Sequence, residues 1–81
     1  LKSAYLNSLI IAKTNNIKTI AFPSISTGIY GYPINLAANI ALQTIINFIK
    51  SDNCFNKIIF VCFNDFIFNV YKNLYNKLTE E

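Results

Sequence analysis

Two short apolar segments constrain the fold of this chain more than any other feature. Residues 17–22 (IKTIAF) form a β-branched run, and residues 57–63 (KIIFVCF) lack the polar alternation of a half-exposed strand. Such a pattern is typical of buried strands in a parallel sheet, which is covered on both faces. A helical segment separates the two, so the sequence predicts two parallel strands joined by a right-handed crossover.

Two helices are predicted before and between these strands. The first covers residues 3–13 and ends at Asn15 and Asn16, because asparagine tolerates the left-handed conformation found at helix ends. The second covers residues 34–50 and is mostly apolar, which predicts a largely buried helix. The apolar positions of the first helix are Ala4, Tyr5, Leu9 and Ala12. The second helix carries one polar stripe, formed by Asn35, Asn39, Gln43 and Asn47.

A third helix is predicted over residues 65–78. Asn64 is its expected N-cap, with Asp65 in the first turn, where a negative charge is favourable. One face is apolar, and Tyr71 and Tyr75 on that face are expected in the core. The resulting order is helix-strand-helix-strand-helix, which defines an α/β fold class.

The size and composition leave two interpretations of the domain. The chain has 81 residues, with 53% hydrophobic and 14% charged, so it holds at most one small domain. Two parallel strands do not form a stable sheet alone, and parallel sheets need both faces covered. The chain is thus either a small, tightly packed domain or part of a larger α/β domain, and the apolar excess favours the larger domain. The lack of any Met also predicts that it begins inside a longer reading frame.

Charge and cysteine content disfavour several function classes. The net charge of +3 comes from seven lysines spread along the chain, whereas nucleic-acid surfaces carry clustered basic residues. With no histidine and no CxxC pair, a zinc site has no ligand set, and no Ser-His-Asp or Cys-His arrangement can form. No metal, cofactor or catalytic residue is therefore assigned. Cys54 and Cys62 do not indicate a disulfide scaffold, and Cys62 is expected as a buried strand thiol. With no signal peptide and no membrane-spanning run, a reduced, cytoplasmic location is expected.

The segment 23–33 (PSISTGIYGYP) is the clearest candidate site. It holds both glycines and both prolines of the chain and lies between a strand and a helix. That position is the carboxyl edge of the sheet, where open α/β folds bind ligands. Consecutive backbone N–H groups with permissive glycines can surround an anion, helped by the following helix N-terminus. Neither a P-loop nor a GxGxxG pattern is present, so the loop could equally be a plain turn.

The wider sequence around this loop resembles a known family. IAFPSISTGIYGYP, followed by LAANIAL and later by IIFVCFND with Tyr71 downstream, is similar to the C-terminal half of a macro domain. Within that family the chain most resembles bacterial O-acetyl-ADP-ribose deacetylases of the MacroD type. The resemblance covers nearly the whole chain and implies a three-layer α/β/α sandwich. It also implies that residues 1–81 are one segment of a single macro domain whose N-terminal half is absent.

The resemblance implies an ADP-ribose or O-acetyl-ADP-ribose ligand and a role for several residues. Phe63 would stack on adenine, although a core position is the alternative. Asn64 stands where relatives often have an acidic residue, and a helix cap is an equally good interpretation. Tyr30 would pack beside the distal ribose, or it is a surface turn residue. The loop around the diphosphate and that ribose would be formed by Ser26, Thr27, Gly28, Ile29, Tyr30 and Gly31.

Three functional hypotheses follow from the resemblance. The complete domain would hydrolyse O-acetyl-ADP-ribose or ADP-ribosyl esters on proteins, holding the substrate against a water molecule. Alternatively, it binds ADP-ribose or ADP-ribosylated proteins without cleaving them. In the third hypothesis the chain is an inactive truncated fragment. The family's catalytic loop lies in the N-terminal half, so this chain alone is not expected to hydrolyse anything.

Overall fold

A computed structural model describes residues 1–24 and 33–80. The predicted order of elements is confirmed, and each helix begins and ends within one residue of its predicted bounds. Both strands are shorter than predicted or shifted, because the backbone pairing covers five residues of each. The elements are α1 (Lys2–Thr14), β1 (Thr19–Pro23), α2 (Ile34–Ser51), β2 (Lys57–Val61) and α3 (Asp65–Thr79).

The two strands pair in parallel, as the sequence predicts. The register runs from Thr19 opposite Lys57 to Pro23 opposite Val61. Beyond β1, the backbone N–H of Ser24 still donates to the carbonyl of Val61 at 2.8 Å. This last bond keeps the chain after β1 beside the carboxyl end of β2.

One face of the sheet carries the core. Phe22 of β1 packs edge-on against Tyr5 of α1, with ring centroids 5.4 Å apart, and joins a cluster with Leu9 and Ile45. Phe60 of β2 lies 5.9 Å from Phe22 and is partly buried against the same cluster. All three helices contribute core residues to this face, since Phe60 also contacts α3. Complete burial of a large apolar side chain contributes about 1.5–3 kcal/mol to the stability of the folded state.

Helix α2 lies between the other two helices. Its small residues Ala37, Ala38 and Ala41 are buried, which allows neighbouring elements to approach closely. A second cluster joins Ala38 and Leu42 of α2 to Tyr71 of α3. The predicted polar stripe is confirmed in part: Asn35, Gln43 and Asn47 are exposed, while Asn39 is half-buried and accepts a hydrogen bond from Gln43 at 3.3 Å.

The opposite face of the sheet is uncovered within the described residues. Ile59 and Val61 are 39% and 51% exposed, and Ala21 is exposed as well. The prediction that both strands are buried is therefore correct for one face only. Of the three layers expected, the described residues supply the sheet and the helices on one side.

Several smaller predictions need correction. Cys62 follows β2 instead of lying inside it and is half-buried, because the paired strand ends at Val61. Ala4 is exposed although its spacing placed it with Tyr5 on the apolar face. Tyr75 is 50% exposed and is not a core residue, since no other element covers it in the described structure.

The connection after α1 follows the predicted chemistry. Asn16 has φ of 58°, the left-handed conformation that asparagine tolerates, and the N–H of Ile17 donates to Ala12 at 2.9 Å. An ion pair between Lys13 and Asp52 joins the ends of α1 and α2. Asp52 is the C-cap residue of α2, so Lys13 offsets the unfavourable placement of a carboxylate at a helix C-terminus.

None of the helices in the described parts of the chain has the length and apolar character needed to span a membrane.

Candidate functional site

Of the candidate site residues, Phe63 and Asn64 are described, and they lie at the carboxyl edge of the sheet. β1 and β2 end in register at Pro23 and Val61, so the segments that follow them start side by side. Both helices that follow the strands also begin at this edge, and their N-termini carry partial positive charge. Such an edge is suited to binding an anionic ligand.

Phe63 lies just beyond the end of β2 and is 66% exposed. Within residues 1–24 and 33–80, the core therefore does not cover Phe63. A solvent-accessible aromatic ring at this edge can stack on a planar base, an interaction of about 1–3 kcal/mol. Its assignment to adenine remains a prediction from the resemblance.

Asn64 caps α3, as the sequence predicts. Its Oδ1 accepts a hydrogen bond from the backbone N–H of Ile67 at 2.9 Å, and its carbonyl accepts from Phe68 at 3.0 Å. The side-chain oxygen thus satisfies one of the N–H groups that every helix start leaves without an intrahelical partner. Any contact that Asn64 makes to a ligand must be compatible with this cap.

The phosphate-loop candidates Ser26, Thr27, Gly28, Ile29, Tyr30 and Gly31 lie outside the described residues. Ser24 and Pro33 are the described residues on either side of this segment. Ser24 is 2% exposed, and its Oγ has no hydrogen-bond partner within the described residues. Pro33 is the N-cap of α2 with φ of −59°, close to the value its ring imposes.

The described residues hold few ionisable groups at this edge. Asp65 lies in the first turn of α3, and residues 1–24 and 33–80 contain no group of three or more His, Cys, Asp or Glu side chains placed to hold a metal ion. Burial raises the pKa of the Cys62 thiol, so its reactive thiolate form is disfavoured at neutral pH.

Exposed aromatic residues on α3 were not recognised from the sequence. Phe66 and Phe68 are 67% and 52% exposed. The spacing of Phe68, Lys72 and Tyr75 at positions i, i+4 and i+7 is the signal for a second stripe on this helix, beside its main apolar face.

The described elements define an α/β fold in which two parallel strands are packed against three helices. A family model for the Macro domain matches residues 1–41, just over half of the chain. The chain therefore belongs to the macro domain family, as the resemblance indicated.

Individual relatives agree with this assignment. An O-acetyl-ADP-ribose deacetylase of Klebsiella pneumoniae is 46% identical over 74 residues, which are 91% of this chain and 42% of that protein. The ADP-ribose glycohydrolase MACROD2 of Xenopus laevis is 47% identical over 78 residues, 95% of this chain and 19% of that protein. The Oceanobacillus iheyensis macrodomain, solved with ADP, superimposes with a TM-score of 0.90 at 40% identity, covering 98% of this chain and 41% of that one.

The chain spans less than half the length of these relatives. The match to the K. pneumoniae deacetylase includes 42% of that protein, and the match to the O. iheyensis macrodomain includes 41%. The described residues thus correspond to part of the complete domain.

Proposed function

We propose that this chain is a segment of a macro domain that binds ADP-ribose, and that the complete domain hydrolyses O-acetyl-ADP-ribose or ADP-ribosyl esters on proteins. The observation that carries the proposal is the 46% identity to an O-acetyl-ADP-ribose deacetylase over 91% of this chain. The structure solved with ADP, which this chain matches at a TM-score of 0.90, supports an adenine nucleotide ligand.

The geometry of the carboxyl edge is compatible with that ligand. ADP-ribose combines a planar base with a diphosphate, and the edge offers an exposed ring at Phe63 together with two helix N-termini. The base would stack on Phe63, and the diphosphate would lie at the loop 25–32 and the start of α2. Ser26, Thr27, Gly28, Ile29, Tyr30 and Gly31 are the proposed contacts there.

The proposed reaction is hydrolysis of an ester on the distal ribose. Water attacks the ester carbonyl carbon, and the bond between that carbon and the ribose oxygen breaks. The two products are ADP-ribose and either acetate or the free acidic side chain. The protein contributes by orienting the ester and the water and by stabilising the developing oxyanion. Residues beyond this chain complete that machinery in the proposal, so the 81 residues supply the ligand-binding half.

A second candidate function is binding without cleavage. It is favoured by the exposed ring of Phe63 at the edge, a group suited to binding a planar base. In this case the domain recognises ADP-ribose or ADP-ribosylated proteins. A cytoplasmic location belongs to either proposal and is supported by Cys54 and Cys62, both free thiols.

The test uses the 81-residue chain together with the portion of the O. iheyensis macrodomain that it does not match, added as a separate polypeptide and here called the complemented chain. ADP-ribose affinity is measured by calorimetry, and acetate release from O-acetyl-ADP-ribose is followed by NMR. Binding with turnover supports the hydrolase, and binding without turnover supports the binding module. If the complemented chain forms but binds no ADP-ribose, the proposal is wrong.

Replacing Phe63 tests the adenine contact. In the complemented chain we expect Phe63→Ala to weaken ADP-ribose binding by about 1–3 kcal/mol, because a stacking platform for the base is lost. Affinity for ribose 5-phosphate, which has no base, should stay the same. An equal loss for both ligands would show that Phe63 does not contact adenine.

Replacing Gly28 tests the loop assignment. Gly28→Val should abolish ADP-ribose binding, because a β-branched side chain disfavours positive φ and blocks close approach of the backbone to phosphate. The control is Ile11→Val, a β-branched substitution at an exposed position of α1. Unchanged ADP-ribose affinity in Gly28→Val would remove residues 26–31 from the site.

A further inference from the structure

Ser24 carries a buried hydroxyl at the point where β1 ends. Its side chain is 2% exposed, and within residues 1–24 and 33–80 its Oγ neither donates nor accepts a hydrogen bond. Thr44, a second buried hydroxyl, instead donates to the carbonyl of Ile40 at 2.7 Å. A buried hydroxyl normally has a partner, because an unpaired one loses the hydrogen bonds that water would make. Ser24 therefore needs a partner that the described residues do not supply.

The backbone of Ser24 is fixed by the sheet. Its N–H donates to the carbonyl of Val61 at 2.8 Å, which continues the pairing of β1 with β2 by one residue. Side chains alternate along a strand, so Ser24 lies on the same face as Phe22, a member of the core. The hydroxyl is therefore held at the carboxyl edge, on the face of the sheet that carries the core.

Ser24 also lies beside the residue that would hold the base of a nucleotide. Continuing the register of the sheet by one residue places Ser24 opposite Cys62, which directly precedes Phe63. Neighbouring strands are about 4.8 Å apart, which is less than the length of a nucleoside. A base stacked on the exposed ring of Phe63 would thus bring its attached ribose within reach of the end of β1.

A ribose hydroxyl matches the chemistry of this position. The Ser24 hydroxyl can donate one hydrogen bond and accept others, and so can each hydroxyl of a ribose. Both groups are neutral, so their pairing away from water avoids the cost of burying a charge. Cys62, opposite Ser24, offers a thiol, which is a much weaker donor. The buried hydroxyl is thus better suited to the sugar than to the diphosphate.

We propose that the Ser24 hydroxyl forms a hydrogen bond with a hydroxyl of the ribose that carries the base, and so makes the site specific for nucleotides that retain that hydroxyl. The inference rests on the proposed function and adds to it a residue that selects the sugar. A ligand without the hydroxyl would leave Ser24 unpaired in a buried place. Sites built to bind a hydroxyl reject such analogues strongly for this reason.

The test compares ADP with 2′-deoxy-ADP and 3′-deoxy-ADP by calorimetry on the complemented chain. ADP contains a single ribose, so the distal ribose of ADP-ribose does not enter the comparison. We expect the parent to bind one of the two analogues at least tenfold more weakly than ADP. In Ser24→Ala, the affinity for ADP should fall at least tenfold, while the affinity for that analogue should stay the same. The preference for ADP is then lost.

Urea denaturation without ligand separates ligand binding from a structural role. Because Oγ has no partner in the described part of the chain, Ser24→Ala should leave the denaturation midpoint of the complemented chain unchanged or raise it. Thr44→Val is the matched control, since it removes a buried hydroxyl that is paired. It should lower the midpoint and leave the preference for ADP unchanged. A lower midpoint for Ser24→Ala would show that the hydroxyl is bonded within the protein and would overturn the proposal.

The remaining outcomes also decide the proposal. An equal loss of affinity for ADP and both analogues in Ser24→Ala would show that Ser24 makes no ribose contact, and unchanged affinity for all three would exclude a role in binding. Either result overturns the proposal, as does a parent that binds ADP and both analogues equally well. In these cases ADP-ribose binding by the parent still supports the proposed function. A parent that binds neither ADP nor ADP-ribose would overturn both.

Discussion

Asn64 combines two positions in one residue, the cap of α3 and the neighbour of the exposed Phe63. Its Oδ1 is bonded to the N–H of Ile67, so the cap restrains the backbone that carries the aromatic ring. In the proposed site, Asn64 therefore helps to position Phe63 by fixing the start of α3.

Asn64→Ala should lower the free energy of unfolding by about 1 kcal/mol, because the N–H of Ile67 loses its acceptor. Asn64→Asp should retain the stability of the parent chain, since aspartate also caps helices and its charge is favourable at a helix N-terminus. Urea denaturation of the complemented chain measures both. Equal stability of Asn64→Ala and the parent chain would show that the cap is not used.

The Lys13–Asp52 ion pair makes stability depend on pH. The hydrogen bond from Lys13 lowers the pKa of Asp52 from its ordinary value of 3.8, and the same bond raises the pKa of Lys13 above 10.5. Because the pKa of Asp52 is lower in the folded state, the ionised carboxylate stabilises the fold at pH values above 3.8. This stabilisation is lost as the pH falls through the pKa of Asp52 in the folded state. Because the pKa of Lys13 is higher in the folded state, the charged amine stabilises the fold at pH values below 10.5. This stabilisation is lost as the pH rises through the pKa of Lys13 in the folded state.

The double-mutant cycle of Lys13→Gln and Asp52→Asn should thus show coupling at neutral pH that disappears in strong acid and strong base. The coupling should be small and should fall with added salt, since both side chains are accessible to solvent. Denaturation at several pH values measures it. Coupling that persists at low pH would mean that the two residues interact by something other than charge.

At the scale of single elements, α2 organises the helical layer. Its buried alanines contact both core clusters, and its neighbours pack closely because these side chains are small. The amphipathic pattern of the sequence identified the helix, while the need for alanine at particular positions depends on the helices packed beside it.

Ala41→Leu should destabilise the fold by about 1–3 kcal/mol, because a larger side chain cannot fit where Ala41 is 0% exposed. Ala4→Leu on α1 is the matched control, since Ala4 is exposed. It should change stability by no more than about 0.5 kcal/mol. Similar effects at both positions would argue against close packing around α2.

For the whole molecule, the dominant feature is the face of the sheet that residues 1–24 and 33–80 leave uncovered. Ile59 and Val61 are exposed on the side away from the helices, whereas Ile20 and Ile58 are partly buried against the core. A parallel sheet is ordinarily covered on both faces, so this surface is expected to associate in water.

The 81-residue chain alone should self-associate, and Ile59→Thr combined with Val61→Thr should reduce that association without lowering stability. Threonine keeps a high β propensity and is polar. Sedimentation velocity measures association, and the control Ile20→Thr should instead destabilise the core face. Unchanged association of the double variant would show that the uncovered face is not the contact surface.

Much of the fold could be predicted because its signals are local. Helical periodicity, the Asn16 turn and the Asn64 cap each depend on residues within one or two turns of the chain. The macro domain resemblance rests chiefly on a contiguous string around residues 23–33, which is why the family could be identified from the sequence. Exposure was less predictable: Tyr75 and Phe63 follow apolar patterns, yet each is at least half exposed.

The sequence by itself determined the order of elements, the parallel pairing and the family. Only the tertiary structure decided which apolar residues of the described part are exposed, and which helix ends are joined by Lys13 and Asp52. The physical reason is that backbone conformation depends on near neighbours in the chain, whereas burial depends on elements that come together from distant positions.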